Sequence, residues 1–128
     1  MSYQLSYSER GFVIRFKGKV TVEELNEANG KIHGHAGFDY HRYQIIDLLE
    51  ADLSSVTEDD TKEPAAIDAI ASLRKWNVKV ALVVLQNDTL KTVNTYVEQA
   101  RPLTPTWKFQ IFSTFEDALR WAKTELMS

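Results

Sequence analysis

The stretch YQIIDLLEADLSS, residues 43–55, begins as a nearly continuous apolar run and ends acidic and serine-bearing. A second run, VKVALVVL, spans residues 78–85. A strand with one wet face alternates apolar and polar residues. Runs that do not alternate suit strands covered on both faces, as in a parallel sheet. Parallel neighbours need a crossover, and the segment between the runs carries a helical pattern ending near Trp76. Its buried stripe is expected at Ala66, Ile67, Ile70 and Leu73. Glu58, Asp59, Asp60 and Glu63 precede or open this helix, and Arg74 and Lys75 close it, matching the helix dipole. Pro64 suits a first turn. The spacing predicts either a turn over 57–61 with a helix from about 63, or one kinked helix.

Towards the N-terminus, YQLSYS (3–8) and FVIRFKG (12–18) alternate and flank Glu9-Arg10-Gly11, which predicts a β-hairpin with positive φ at the glycine. Thr21-x-x-Glu24 is a capping box opening a helix. Val22, Leu25, Ala28 or Asn29, and Ile32 share its face. Gly34 is expected to end it in the αL conformation. Towards the C-terminus, Asn87 or Asp88 caps a helix with Leu90, Val93, Val97 and Ala100 inward, ending before Pro102. WKFQIF (107–112) is a last strand. Ser113-x-x-Glu116 caps a final helix with an apolar stripe at Phe115, Ala118, Leu119, Ala122 and Leu126. The order is ββαβαβαβα. It predicts one α/β domain over 1–128, with a mostly parallel sheet, an N-terminal antiparallel hairpin and flanking helices.

Composition narrows the function classes. The 128 residues include no cysteine, which excludes disulfides, cysteine-type zinc sites and thiol nucleophiles. Net charge is −3, and the basic residues are scattered apart from Arg74-Lys75, which argues against a nucleic-acid partner. No apolar run approaches membrane-spanning length, and the first residues do not read as a signal peptide. A cytoplasmic location is expected.

The run YQIIDLLEADLSSVTEDD, the later VKVALVVLQND and the terminal KFQIFSTFEDALRWAK resemble the SpoIIAA-like family of bacterial domains, related to STAS domains and to the SEC14 lipid-binding fold. The Asp47-Leu48 pair and the pattern Phe112-x-x-Phe115-Glu116-Asp117-Ala118-Leu119-x-Trp121 carry most of the likeness. The resemblance implies a sheet flanked by helices and a regulatory binding role. It also implies a phosphorylated serine after the Asp-Leu strand, where this chain has Asp52-Leu53-Ser54-Ser55-Val56. Ser54 and Ser55 are thereby candidate phosphorylation sites. The Asp stands one residue off the relatives' motif and no glycine follows the serines. Ser55-x-x-Glu58 is also a plain capping box.

All three histidines lie in KIHGHAGFDYH, residues 31–41. A zinc site needs three or four convergent ligands with outer partners. His33 closes a helix and His35 follows it, so a helix end in a solvated loop accounts for the cluster, and no metal site is assigned. Ligands of open α/β sheets gather at the C-terminal strand edge. There the loops 50–57, 86–89 and 113–114 would bring Asp52, Ser54, Ser55 and Asp88 together as candidate ligand- or partner-binding residues. No catalytic residue and no cofactor is assigned. Among the aromatics Tyr40, Tyr43, Tyr96, Trp76, Trp107 and Trp121, most are expected in the core, with Tyr96 and Trp121 partly exposed. The resemblance, with no convergent catalytic motif beside it, implies a non-enzymatic binding or regulatory module. Its partner would be a protein or, as the SEC14 likeness implies, a small hydrophobic, lipid-like molecule, and a homodimer is among the candidate assemblies. The alternative is a small enzyme or metal-binding protein using the acidic strand-end loops or the His33–His41 loop.

Overall fold

The computed structural model describes residues 3–85 and 88–124. Five strands form one sheet in the order β1 (Tyr3–Ser8), β2 (Gly11–Lys19), β3 (Tyr43–Asp52), β4 (Lys79–Val83), β5 (Lys108–Phe112). β1 and β2 are antiparallel, and every later neighbour is parallel. The helices are α1 (Val22–His33), α2 (Lys62–Ser72), α3 (Asp88–Leu103) and α4 (Phe115–Thr124), with a single 3-10 turn at Phe38–Tyr40. The predicted order ββαβαβαβα is the observed one.

Sequential strand order with right-handed crossovers places α1, α2 and α3 on one face. The core divides accordingly. Ala28, Ile32, Ala65, Ala71, Val93 and Val97 pack with Phe12, Ile14 and Leu82 on that side. On the other, Ala118 and Ala122 of α4 pack with Tyr43, Ile45, Ala81 and Val83. The strands β3 and β4 are therefore buried from both sides, which is why their sequences do not alternate.

Local chemistry explains the elements and several departures from expectation. The hairpin turn is the two-residue Glu9-Arg10, with φ of 50° and 64°. Positive φ at both central residues is the type I′ geometry, whose twist matches that of the strands. Gly11 is not one of them. A Cβ at Gly11 would stand 2.0 Å from the Tyr43 ring, so the glycine serves close packing. The turn is held by side chains, with Glu9 paired to Lys123 at 3.3 Å and Arg10 Nε donating to the Tyr40 carbonyl. Thr21 and Glu24 form the predicted capping box. Gly34 ends α1 in the αR region (φ −92°) rather than αL.

β3 runs on to Asp52, past the Asp47-Leu48 pair. Its register with β2 slips between Asp47 and Glu50. Asp47 Oδ1 accepts the Leu49 N–H at 3.0 Å, which satisfies the backbone at the irregularity. The segment before α2 is a turn, closed by Thr57 and Asp60, each side chain accepting the other's backbone N–H. This replaces the expected Ser55/Glu58 box. Thr114, not Ser113, caps α4, accepting the Asp117 N–H at 3.2 Å. α3 continues through Pro102 in its last turn, where buried Thr104 donates to the Ala100 carbonyl. The expected cap Asn87 and the stripe residue Leu126 lie outside the described residues.

α2 differs most. It ends at Ser72, four residues before Trp76, and its expected buried stripe faces outward. Ile70 is 72% exposed, Leu73 81% and Trp76 64%, while Ala66 is also exposed. The buried face carries Pro64, Ala65, Asp68, Ala71 and Ser72. As the middle of three helices on one face, α2 packs between α1 and α3. Small side chains allow that approach, and Asp68 finds polar partners between its neighbours.

Candidate functional site

The apolar side of the sheet and the three helices above it do not close completely. An apolar cavity of about 60 Å³ lies among Phe16 and Leu48 of the sheet, Leu25 and Ala28 of α1, and Val93 of α3. Leu53 and Val56, from the loop after β3, complete its wall at the C-terminal strand edge. Asn29, Thr61, Thr92 and Tyr96 are its polar members. A mostly apolar lining of this kind suits apolar guests. Benzene occupies a cavity of roughly 150 Å³, so a larger guest requires the helices to part.

Beside the cavity, a buried polar group joins all three helices. Tyr96 of α3 donates its hydroxyl to Asp68 Oδ2 on α2. His33 of α1 places Nε2 3.6 Å from Asp68 Oδ1. Burial, followed by the adjacent Asp68 charge, pushes the Tyr96 hydroxyl well above its usual pKa. The phenol therefore stays protonated and acts only as a donor to Asp68. Asp68 is 2% exposed, and a carboxylate so placed needs such partners. Thr61 adds a second tie between α2 and α3, donating to Gln99 Oε1 at 3.1 Å. Sequence reasoning missed Asp68 altogether. The available signal was an acid spaced with small residues, Ala65-x-x-Asp68-x-x-Ala71, on the face opposite the larger apolar ones.

The predicted edge residues stand around the cavity's wall without forming a reaction centre. Asp52 Oδ1 accepts the Ser54 N–H at 2.9 Å, and the Ser54 hydroxyl and N–H together hold the Asp52 carboxyl below its ordinary range. Ser55 donates to the Val20 carbonyl at 3.1 Å, pinning the loop to the start of α1. Both serines are exposed. Asp88 is exposed in the first turn of α3, after β4, at the same sheet edge. No hydrogen bond or ion pair joins Asp88 to Asp52 or the serines among the described residues.

The three histidines face different surroundings. His35 Nδ1 accepts the Gly37 N–H at 2.9 Å. His41 is fully buried, contrary to the solvated loop expected, with Nδ1 2.5 Å from the Phe38 carbonyl and Nε2 3.2 Å from Gln44 Nε2. A carbonyl only accepts, so Nδ1 carries the proton and Nε2 accepts from Gln44. Burial lowers the His41 pKa to about 4. The rings of Tyr7, Phe12 and Phe38 pack among these imidazoles. No group of three potential metal ligands is present among the described residues.

At the opposite, N-terminal strand edge the fold gathers charge that the sequence leaves scattered. Lys75 is lowered in pKa by burial and by the nearby positive charges of Arg42 and Arg10. Arg74 pairs with Asp39 at 3.2 Å and lies over the Phe38 ring. Tyr40 and Trp76 are exposed there, whereas Tyr43 and Trp107 are buried and Tyr96 and Trp121 half-buried.

No family model matches the sequence, and no curated protein does either. Among solved structures, the chain is similar to an uncharacterized DUF3478-family protein with a SpoIIAA-like fold from Shewanella loihica PV-4. The two share 20% identity at a TM-score of 0.54, over 94% of this chain and 91% of that one. The fold is thus SpoIIAA-like, as the sequence resemblance implies. Among the described residues no helix is long and apolar enough to cross a membrane.

Proposed function

We propose that this SpoIIAA-like domain is a non-catalytic binding module that takes a small hydrophobic, lipid-like molecule between its sheet and the α1–α3 layer. The observation that carries the reading is the apolar cavity, with polar groups confined to Asn29, Thr61, Thr92 and Tyr96. Apolar ligand sites combine such a lining with a few placed polar groups. At about 60 Å³ the cavity is smaller than an acyl chain needs. Admission of an acyl chain requires the α1–α3 layer to part, where Tyr96 ties α3 to Asp68 of α2 and His33 of α1 stands 3.6 Å from that carboxylate. Asp52, Ser54 and Ser55 belong to the loop that supplies Leu53 and Val56 to the wall, and Asp88 opens the helix that supplies Val93. They would act as the rim that a ligand's polar end or a partner protein meets.

A second reading uses the same loop. Ser54 is exposed and its N–H is held by Asp52, so a phosphoryl group there would displace that contact by like-charge repulsion and reshape the cavity wall. Native mass spectrometry of chelator-free protein, set against the denatured mass, tests both readings. Extra mass on the folded species alone supports the ligand site. A phosphate in both spectra, mapped to Ser54, supports the switch. A bare mass in both, together with failure to take up added fatty acid, rejects the ligand site.

A further inference from the structure

We propose that the outer face of α2 is a self-association surface, on which two copies of the chain pair across a twofold axis with their α2 helices antiparallel. The helix is inverted relative to a solvent-facing one. It buries Asp68 and Ser72 and presents Ala66, Ile70 and Leu73 to water. Within the monomer the inner face packs on α1 and α3, but Ile70 and Leu73 stay uncovered, and burial of such side chains is a favourable term that a second copy could supply.

Charge selects the occupant. The N-terminal end of α2 is acidic, with Glu58, Asp59, Asp60 and Glu63 against the single Lys62. The C-terminal end is basic, with Arg74 and Lys75 beside Arg42 and Arg10. An anionic membrane would attract one end and repel the other. A parallel pair of helices would set acid on acid. An antiparallel pair sets each acidic end on the other copy's basic end, as electrostatic complementarity requires. The geometry is self-complementary, which is the condition for an isologous dimer. With the axis near Ile70, that residue meets its own counterpart, and Leu73 of each copy lies against the small Ala66 of the other. Glu63 then faces the other copy's basic end, where Arg74 is held by its own Asp39 at 3.2 Å. Trp76 lies at the rim, a residue type enriched at such surfaces.

Sedimentation velocity across a dilution series tests the pairing on the full chain. The wild type is expected to dimerise. Ile70→Glu and Ile70→Lys, both at an exposed position that leaves the core untouched, are each expected to weaken the dimer by roughly thirtyfold. An equimolar mixture of the two variants is expected to recover it, because only a twofold contact places position 70 beside itself. Three results would each overturn the proposal: a wild type monomeric up to millimolar concentration, a dimer indifferent to both variants, or a mixture that stays monomeric. Recruitment of a monomeric wild type to vesicles of anionic phospholipid would likewise overturn it, in favour of a membrane surface.

Discussion

With Nδ1–H given to the Phe38 carbonyl and Nε2 accepting from Gln44, His41 has no place for a second ring proton. Burial is the main cause of its pKa of about 4, against the Phe38 carbonyl, which raises it. The consequence for stability has a definite sign. Above pH 6.5 the ring is neutral in both the folded and unfolded chain. As pH falls, the unfolded chain takes a proton that the folded one refuses until about pH 4, so stability declines through that window. From pH 7 to pH 5 the loss from this group is about 2 kcal/mol. Urea unfolding at the two pH values measures it. His41→Gln should be less stable at pH 7 yet decline less steeply. Tyr96 offers a second test at this scale. Tyr96→Phe removes the hydroxyl that Asp68 accepts and should cost about 1.5–3 kcal/mol, because the bond is to a charged group. Neither environment was legible in the sequence. His41 and Asp68 look like loop and surface residues until tertiary packing brings Phe38 and Gln44 to one and Tyr96 and His33 to the other.

Among the elements, the strands and the first helix cap were legible, whereas the Ser55/Glu58 and Ser113/Glu116 boxes gave way to Thr57/Asp60 and Thr114. The Thr21/Glu24 box and the double-sided runs of β3 and β4 are fixed by chemistry within a few residues of themselves. α2 was legible as a helix but not in its orientation. Its two faces are both apolar enough to be a core stripe, and hydrophobicity alone selects Ile67, Ile70 and Leu73. The fold selects the smaller set, Pro64, Ala65 and Ala71, because a middle helix must approach both neighbours closely. The predicted hairpin was right for a different reason. Positive φ falls on Glu9 and Arg10, whose side chains are tethered by Lys123 and the Tyr40 carbonyl, and Gly11 makes room for Tyr43. Tethers of this kind join residues far apart in sequence and leave no local signal.

On the scale of the whole molecule, one sheet carries three helices on one side and one on the other, and the cavity lies on the three-helix side. Asp52, Ser54, Ser55 and Asp88 lie at the C-terminal strand edge, which the element order implies, but a space between sheet and helices has no signature in the sequence. That space is the sum of many side-chain volumes, each settled only by final packing. The claim that it is a ligand site is tested most directly by titrating the wild type and Ala28→Leu with a fluorescent fatty acid. Ala28 is buried on the cavity wall, and leucine there fills the void while preserving a helical residue. The account predicts saturable one-to-one uptake by the wild type and at least a tenfold weaker uptake by the variant, with folding intact by circular dichroism. Absent uptake by the wild type, or uptake unchanged in the variant, would contradict it.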